Sequence, residues 1–191
     1  MPWNEVFTKG FDLWLNLYMS NEEYYKYESI LCISLLNCFK KSVEEKRLPF
    51  GDIQQEERLI GSTRVDFLLG NDVSLEVKFE PDYPNMPITR KPVTNVVLKT
   101  PDGQVAKYAG LTNKETRMRL YEVELDFLKL MAYKKRGIRH NYLLCLDEDG
   151  RLYRNLANSF RTSRVKKLTI PWKLIQRGAD GKKVYYFLWQ A

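Results

Sequence analysis

The sequence predicts an α/β chain in which helices flank a central mixed β-sheet. Three observations predict it: two N-terminal stretches with helical apolar spacing, three short β-rich runs after them, and then a third helix followed by further strands. At 191 residues one domain is expected. A hydrophobic content of 44% with 13% aromatics excludes disorder, and 29% charged residues exclude an integral membrane protein. No apolar run approaches the ~20 residues of a membrane span, and charged residues interrupt Met1 to Met19 where a secretory core would lie. Cys32, Cys38 and Cys145 are odd in number and lack Cys-x-x-Cys spacing, which reads as buried thiols in a reducing compartment. A soluble, cytoplasmic protein with no membrane partner is expected. With His140 as its one histidine, the chain offers little for a zinc site or a His-based nucleophilic mechanism.

Asn4 to Tyr18 places Val6, Leu13, Leu17 and neighbouring aromatics at helical spacing, with Phe11, Trp14, Leu15 and Tyr18 as core or interface. A longer helix is expected from Asn21 to about Arg47, ended by Pro49-Phe50-Gly51. Strands follow at about Asp52–Ile60, Thr63–Leu69 and Asp72–Glu80. A Pro-rich insertion over residues 81–111 carries Pro81, Pro84, Pro87 and Pro92, and within it Thr100-Pro101-Asp102-Gly103 is a turn signal for a small hairpin. The third helix opens at Thr112, with Glu115 completing a capping box, and stops at Gly137. Further strands are expected at Tyr142–Leu146, Arg151–Leu156, Lys167–Ile175 and Lys183–Trp189, the last two forming a C-terminal hairpin.

The net charge of +7 is unevenly placed. Residues 1–60 carry −3 and residues 61–150 carry +1, whereas residues 151–191 hold ten basic side chains and one acidic. Arg161, Arg164, Lys166 and Lys167 lie in this basic region, interleaved with aromatics such as Phe160 and Trp172. Such a segment suits a polyanion, because Lys and Arg neutralise phosphates and release counterions. A solvated basic face with core aromatics is the alternative.

The segment Arg64 to Glu80 carries the chemistry. Val65, Phe67 and Leu69 alternate with polar positions, as do Val73, Leu75, Val77 and Phe79. Placing both apolar sets on one face of an antiparallel pair sets Leu69 against Val73, Phe67 against Leu75 and Val65 against Val77. That register puts Asp66 opposite Glu76 and Arg64 opposite Lys78, with Gly70-Asn71-Asp72 as the loop. Two carboxylates with side-chain roots roughly 5 Å apart repel unless a positive charge lies between them. Mg²⁺ or Mn²⁺ suits that place, with Lys78 oriented on an attacking water. Solvated cross-strand pairs among Arg64, Asp66, Glu76 and Lys78 are the alternative.

Val65-Asp66 followed by Glu76-Val77-Lys78, with a helix before, a helix after and then a strand, resembles the PD-(D/E)xK nuclease superfamily of restriction-endonuclease-like fold. The resemblance covers about residues 22 to 147, and Val65 stands where the motif's proline would be. It implies a core of helix, three antiparallel strands, helix and parallel strand, here with N-terminal helical and C-terminal hairpin additions. It also implies metal ligands at Asp66, Glu76 and the Val77 carbonyl, a catalytic Lys78, and a first-helix glutamate. Glu28 is the candidate, since it shares a helical stripe with Leu31, Leu35 and Phe39; an exposed first-turn Glu is the alternative.

The expected activity is Mg²⁺- or Mn²⁺-dependent phosphodiester hydrolysis, with double-stranded DNA as the family-weighted partner and a homodimer as the usual way to cut two strands. A catalytically inactive nucleic-acid-binding or assembly module is the other reading. Glu80, Lys129, Lys134 and His140 are expected at the surface, Glu80 because Pro81 ends its strand.

Overall fold

The computed structural model describes residues 2–20, 28–60, 63–80, 95–99, 105–109, 115–148, 150, 152–154, 156, 160, 163–179 and 181–191. Helices α1 (Pro2–Ser20) and α2 (Glu28–Lys46) lead into strands β1 (Ile53–Ile60), β2 (Thr63–Leu69) and β3 (Val73–Glu80). The hairpin β4 (Asn95–Lys99) and β5 (Val105–Ala109) forms its own two-stranded sheet. Helix α3 (Glu115–Lys135), strand β6 (His140–Asp147), the short α4 (Ser163–Lys166), and strands β7 (Lys173–Arg177) and β8 (Lys182–Gln190) complete the chain. The fold is α+β, with a six-stranded mixed sheet in the order β1-β2-β3-β6-β8-β7. Among the described strands of this sheet, β3 and β6 run parallel and the other neighbours are antiparallel. No described helix is long and apolar enough to cross a membrane.

Two cores sandwich the sheet. On one face α1 buries Val6, Phe7, Phe11, Trp14 and Tyr18, and α2 buries Leu31, Leu35, Phe39 and Val43, against Phe67, Leu69, Val73, Leu75, Val77 and Phe79. The two helices pack closely at Gly10, where a Cβ would fall 2.5 Å from Cδ1 of Phe39. On the other face α3 packs Val123, Phe127, Leu130 and Tyr133 against Leu68, Leu143, Cys145 and Phe187. Alternation along β3 therefore sends Ser74, Glu76 and Lys78 toward the α3 side.

The β2–β3 turn follows the expected register. Leu69 pairs with Val73 and Phe67 with Leu75, and Gly70 and Asn71 both take left-handed φ (55° and 53°), closed by the Asp72 N–H to the Leu69 carbonyl. Gly70 is obligatory for a second reason: a Cβ there would meet the Trp3 indole at 2.0 Å. The parallel β3–β6 ladder runs unbroken from Val73–His140 to Glu80–Asp147, and the buried Ser74 hydroxyl donates to Asn141 Oδ1 across it.

Several expectations are corrected. Asp66 does not face Glu76 across a ladder, because β2 and β3 pair only as far as Phe67–Leu75 and then part. Arg64 sits beside Arg58 of β1 and pairs with Glu56, not opposite Lys78. Val65 belongs to the α3-side core, not to the face of Phe67 and Leu69; Glu56, at φ 50°, breaks regular strand geometry between the Gln55–Phe67 and Glu57–Val65 pairs. Residues 152–154 are helical where a strand was expected. There the Asp147 carboxylate accepts the Tyr153 N–H at 2.7 Å, and the Arg154 N–H reaches back to the Gly150 carbonyl. The strand expected at Lys167–Ile175 begins at Lys173, after Pro171. Glu80 is buried, since β3 continues through it and its carbonyl accepts the Glu148 N–H. The start of the second helix before Glu28 and the Thr112 cap lie outside the described residues, as does most of the Pro-rich stretch.

Candidate active site

Where β2 leaves β3, the N–H groups of the freed β3 edge are taken by side chains. Val77 N–H donates to Asp66 Oδ2 at 2.7 Å, and Phe79 N–H donates to Glu28 Oε2 at 3.0 Å. A buried strand edge must satisfy its donors, and here two carboxylates do so. In a strand, the N–H and C=O of one residue point to the same side, so the Val77 carbonyl opens into the same gap. Glu28 thus reaches the site from α2, about one turn before Leu31 and two before Leu35, both fully buried. Asp66, Glu76, Lys78, Val77 and Glu28 are gathered at the parting of the two strands.

Two further residues join them from α3. Lys78 Nζ lies 3.4 Å from Asp126 Oδ2 and 4.0 Å from Glu28 Oε1. Lys129 Nζ lies 2.7 Å from Glu76 Oε1 and 2.9 Å from Asp126 Oδ1. Lys129, expected on a solvated face, has a side chain only 14% exposed, whereas Lys134 is exposed as expected. His140 is half-buried at the start of β6, its Nδ1 3.3 Å from Gln190 Nε2. The signal that could have found Asp126 and Lys129 is in the sequence. Val123, Phe127, Leu128, Leu130, Ala132 and Tyr133 make α3 apolar around most of its circumference, so charges at 126 and 129 lie within reach of the core and need partners.

The electrostatics follow from crowding charge in a dry place. Burial pushes the Asp66 carboxyl above its ordinary range, against the Val77 N–H and the charge of Lys78. Burial, then the charge of Asp126, pushes the Glu76 carboxyl well above its usual value, against the attraction of Lys129. For Lys78, burial favours the neutral amine, but Asp126, Glu28, Asp66 and Glu76 outweigh it and hold the ammonium above its ordinary range. Asp126 and Glu76 do the same for Lys129. Both lysines are therefore cationic at neutral pH, and Lys78 in this arrangement is a donor that orients rather than a base. Among the described residues, Glu76 Oε1 and Asp126 Oδ2 meet no hydrogen-bond donor in proper geometry, although an ammonium lies near each. No group of three or more His, Cys, Asp or Glu side chains arranged to hold a metal is found among the described residues.

Lys166, at the end of α4, and the following Lys167 are exposed; Arg164 is part of α4, and Arg161 lies outside the described residues. Comparison of the chain with protein-family models, with curated proteins and with solved structures finds no match.

Proposed function

We propose that the chain is a divalent-metal-dependent nuclease of the PD-(D/E)xK type, acting on duplex DNA. The observation that carries this reading is the convergence of buried Glu76 with half-buried Asp66 and Lys78 where β2 and β3 part, with Glu28 reaching in from α2. The order of helix, three antiparallel strands, helix and parallel strand supports it.

The donor set fits Mg²⁺ or Mn²⁺: hard carboxylate oxygens of Asp66 and Glu76 and the Val77 carbonyl, with Glu76 Oε1 facing the Lys129 ammonium but meeting no well-directed hydrogen bond among the described residues. A bound cation would supply charge for the developing phosphorane and a more acidic water. Asp66 and Glu28 hold the β3 edge through its N–H groups, which fixes Val77 and Lys78 in position. The Lys78 ammonium donates to the attacking water or to a phosphate oxygen, and Asp126 aims it. Such preorganised charge in a dry site accounts for most of the acceleration expected of this class. Exposed Lys166 and Lys167 would grip the phosphate backbone, and two-fold pairing of chains would place one site on each strand.

The test is cleavage of plasmid and linear duplex DNA with Mg²⁺ by the full chain and by Asp66→Ala and Lys78→Ala. Activity lost in both variants, with circular dichroism unchanged, is the expected result; full activity in both sinks the assignment. The C-terminal charge surplus favours a second reading, nucleic-acid binding without hydrolysis. Salt-sensitive DNA binding with no cleavage and no heat of Mg²⁺ or Mn²⁺ binding would select it.

A further inference from the structure

Lys129 stands on oxygens from three elements. Its Nζ is 2.7 Å from Glu76 Oε1 on β3, 2.9 Å from Asp126 Oδ1 on its own helix, and donates to the Arg64 carbonyl of β2 at 3.3 Å. Tyr133, one turn further along α3, donates to that same carbonyl at 3.2 Å. An ammonium and a hard metal cation are both held by oxygen ligands and negative charge. Lys78 differs: it pairs with Asp126 and Glu28, which leaves the carboxylate of Glu76 to Lys129.

Building on the metal-dependent reading above, we propose that Lys129 is a built-in competitor for the divalent cation. In the metal-free chain it occupies Glu76, and it leaves that carboxylate when the cation arrives. Asp126, three residues back on the same helix, retains the released ammonium at the site, where a substrate phosphate oxygen is the next available anion. Cation and nucleic acid then bind cooperatively, because a phosphate gives Lys129 a partner that Glu76 no longer provides.

The experiment is Mn²⁺ binding to the full chain without nucleic acid, followed by electron paramagnetic resonance of free Mn²⁺, for wild type, Lys129→Met, Lys129→Gln and Lys129→Arg. Removing a unit positive charge beside a dication favours binding by at least about tenfold, so Met and Gln bind Mn²⁺ that much more tightly while Arg stays near wild type. Neutral variants that bind no more tightly than wild type overturn the proposal and leave the metal-dependent reading standing. Absence of Mn²⁺ binding by every protein overturns both. If neither neutral variant folds, by circular dichroism, Lys129 is a requirement of the fold and the proposal falls.

Discussion

Asp66 and Val77 are joined side chain to backbone, not strand to strand: the carboxylate Oδ2 accepts the Val77 N–H at 2.7 Å, just past the last β2–β3 pair. The acidic group is thus part of the sheet's own hydrogen bonding. Asp66→Asn keeps an oxygen that can accept this N–H, whereas Asp66→Ala strands a buried donor. The Ala variant is expected to be less stable than the Asn variant by about 1–3 kcal/mol. Urea unfolding of the two proteins checks the difference, and equal midpoints would contradict it.

Glu76 gives a pH prediction. Its folded pKa is raised, by burial first and then by Asp126, so the native state binds its proton more tightly than the unfolded chain, where a Glu titrates near ~4.3. The stability it contributes is fully present below that value and is lost as pH rises through the folded value. In chelator-treated protein Glu76→Gln removes this loss. Because Asp126 still pairs with Lys129 in the variant, it is expected to unfold at a higher temperature than wild type at pH 7. The gap closes at pH 4, and thermal unfolding across that range measures it.

Arg177 and Glu148 form a buried pair on the far side of the sheet. Arg177 donates to Glu148 Oε1 at 2.8 Å and to the Tyr18 carbonyl at 3.0 Å, and its guanidinium lies 4.3 Å from the centre of the Tyr18 ring. Breaking one side leaves Glu148 buried with the Tyr18 hydroxyl at 2.7 Å and Lys182 at 3.7 Å among its remaining partners, so Arg177→Met is expected to be destabilising by up to about 3 kcal/mol. Denaturant unfolding measures this loss.

The thiols are expected to be inert. Burial, then the charges of Asp66 and Glu28, raises the Cys32 pKa, and burial foremost raises those of Cys38 and Cys145. Thiolate is the reactive form. A disulfide-exchange reagent at pH 8 should therefore label native protein far more slowly than protein in urea, where all three cysteines react. Fast native labelling at Cys32 would contradict the placement of the carboxylates near it.

Lys166 and Lys167 are predicted to contact phosphates without reading bases. Replacing each by Ala should weaken duplex binding similarly for unrelated sequences and lower the slope of log K against log salt by about 1 per lysine. Fluorescence anisotropy at several salt concentrations measures this.

The hairpin register was legible because period-two alternation and a Gly-Asn turn leave one solution. Strand boundaries alone could not reveal where β2 and β3 stop pairing. That depends on a carboxylate replacing a carbonyl as acceptor for Val77, a side-chain event that alternation does not encode. Glu28 was legible from its stripe with Leu31 and Leu35. Asp126 and Lys129 were missed because a charged pair three apart reads by default as a solvated helix face; only the apolar residues surrounding them argue otherwise. Residues 152–154 read as strand from composition, and the Asp147 carboxylate overrode that preference.

The parallel ladder has a consequence for the order in which the molecule is made. Strand β3 carries Glu76 and Lys78, yet β2 binds it through only the three pairs from Leu69–Val73 to Phe67–Leu75, while β6 binds it along its whole length. A growing polypeptide therefore holds Asp66, Glu76 and Lys78 well before the partner that aligns them exists. Until residue 147 is free to dock, a ribosome-bound fragment carries these groups without their arrangement, and the site assembles only once β6 has been made.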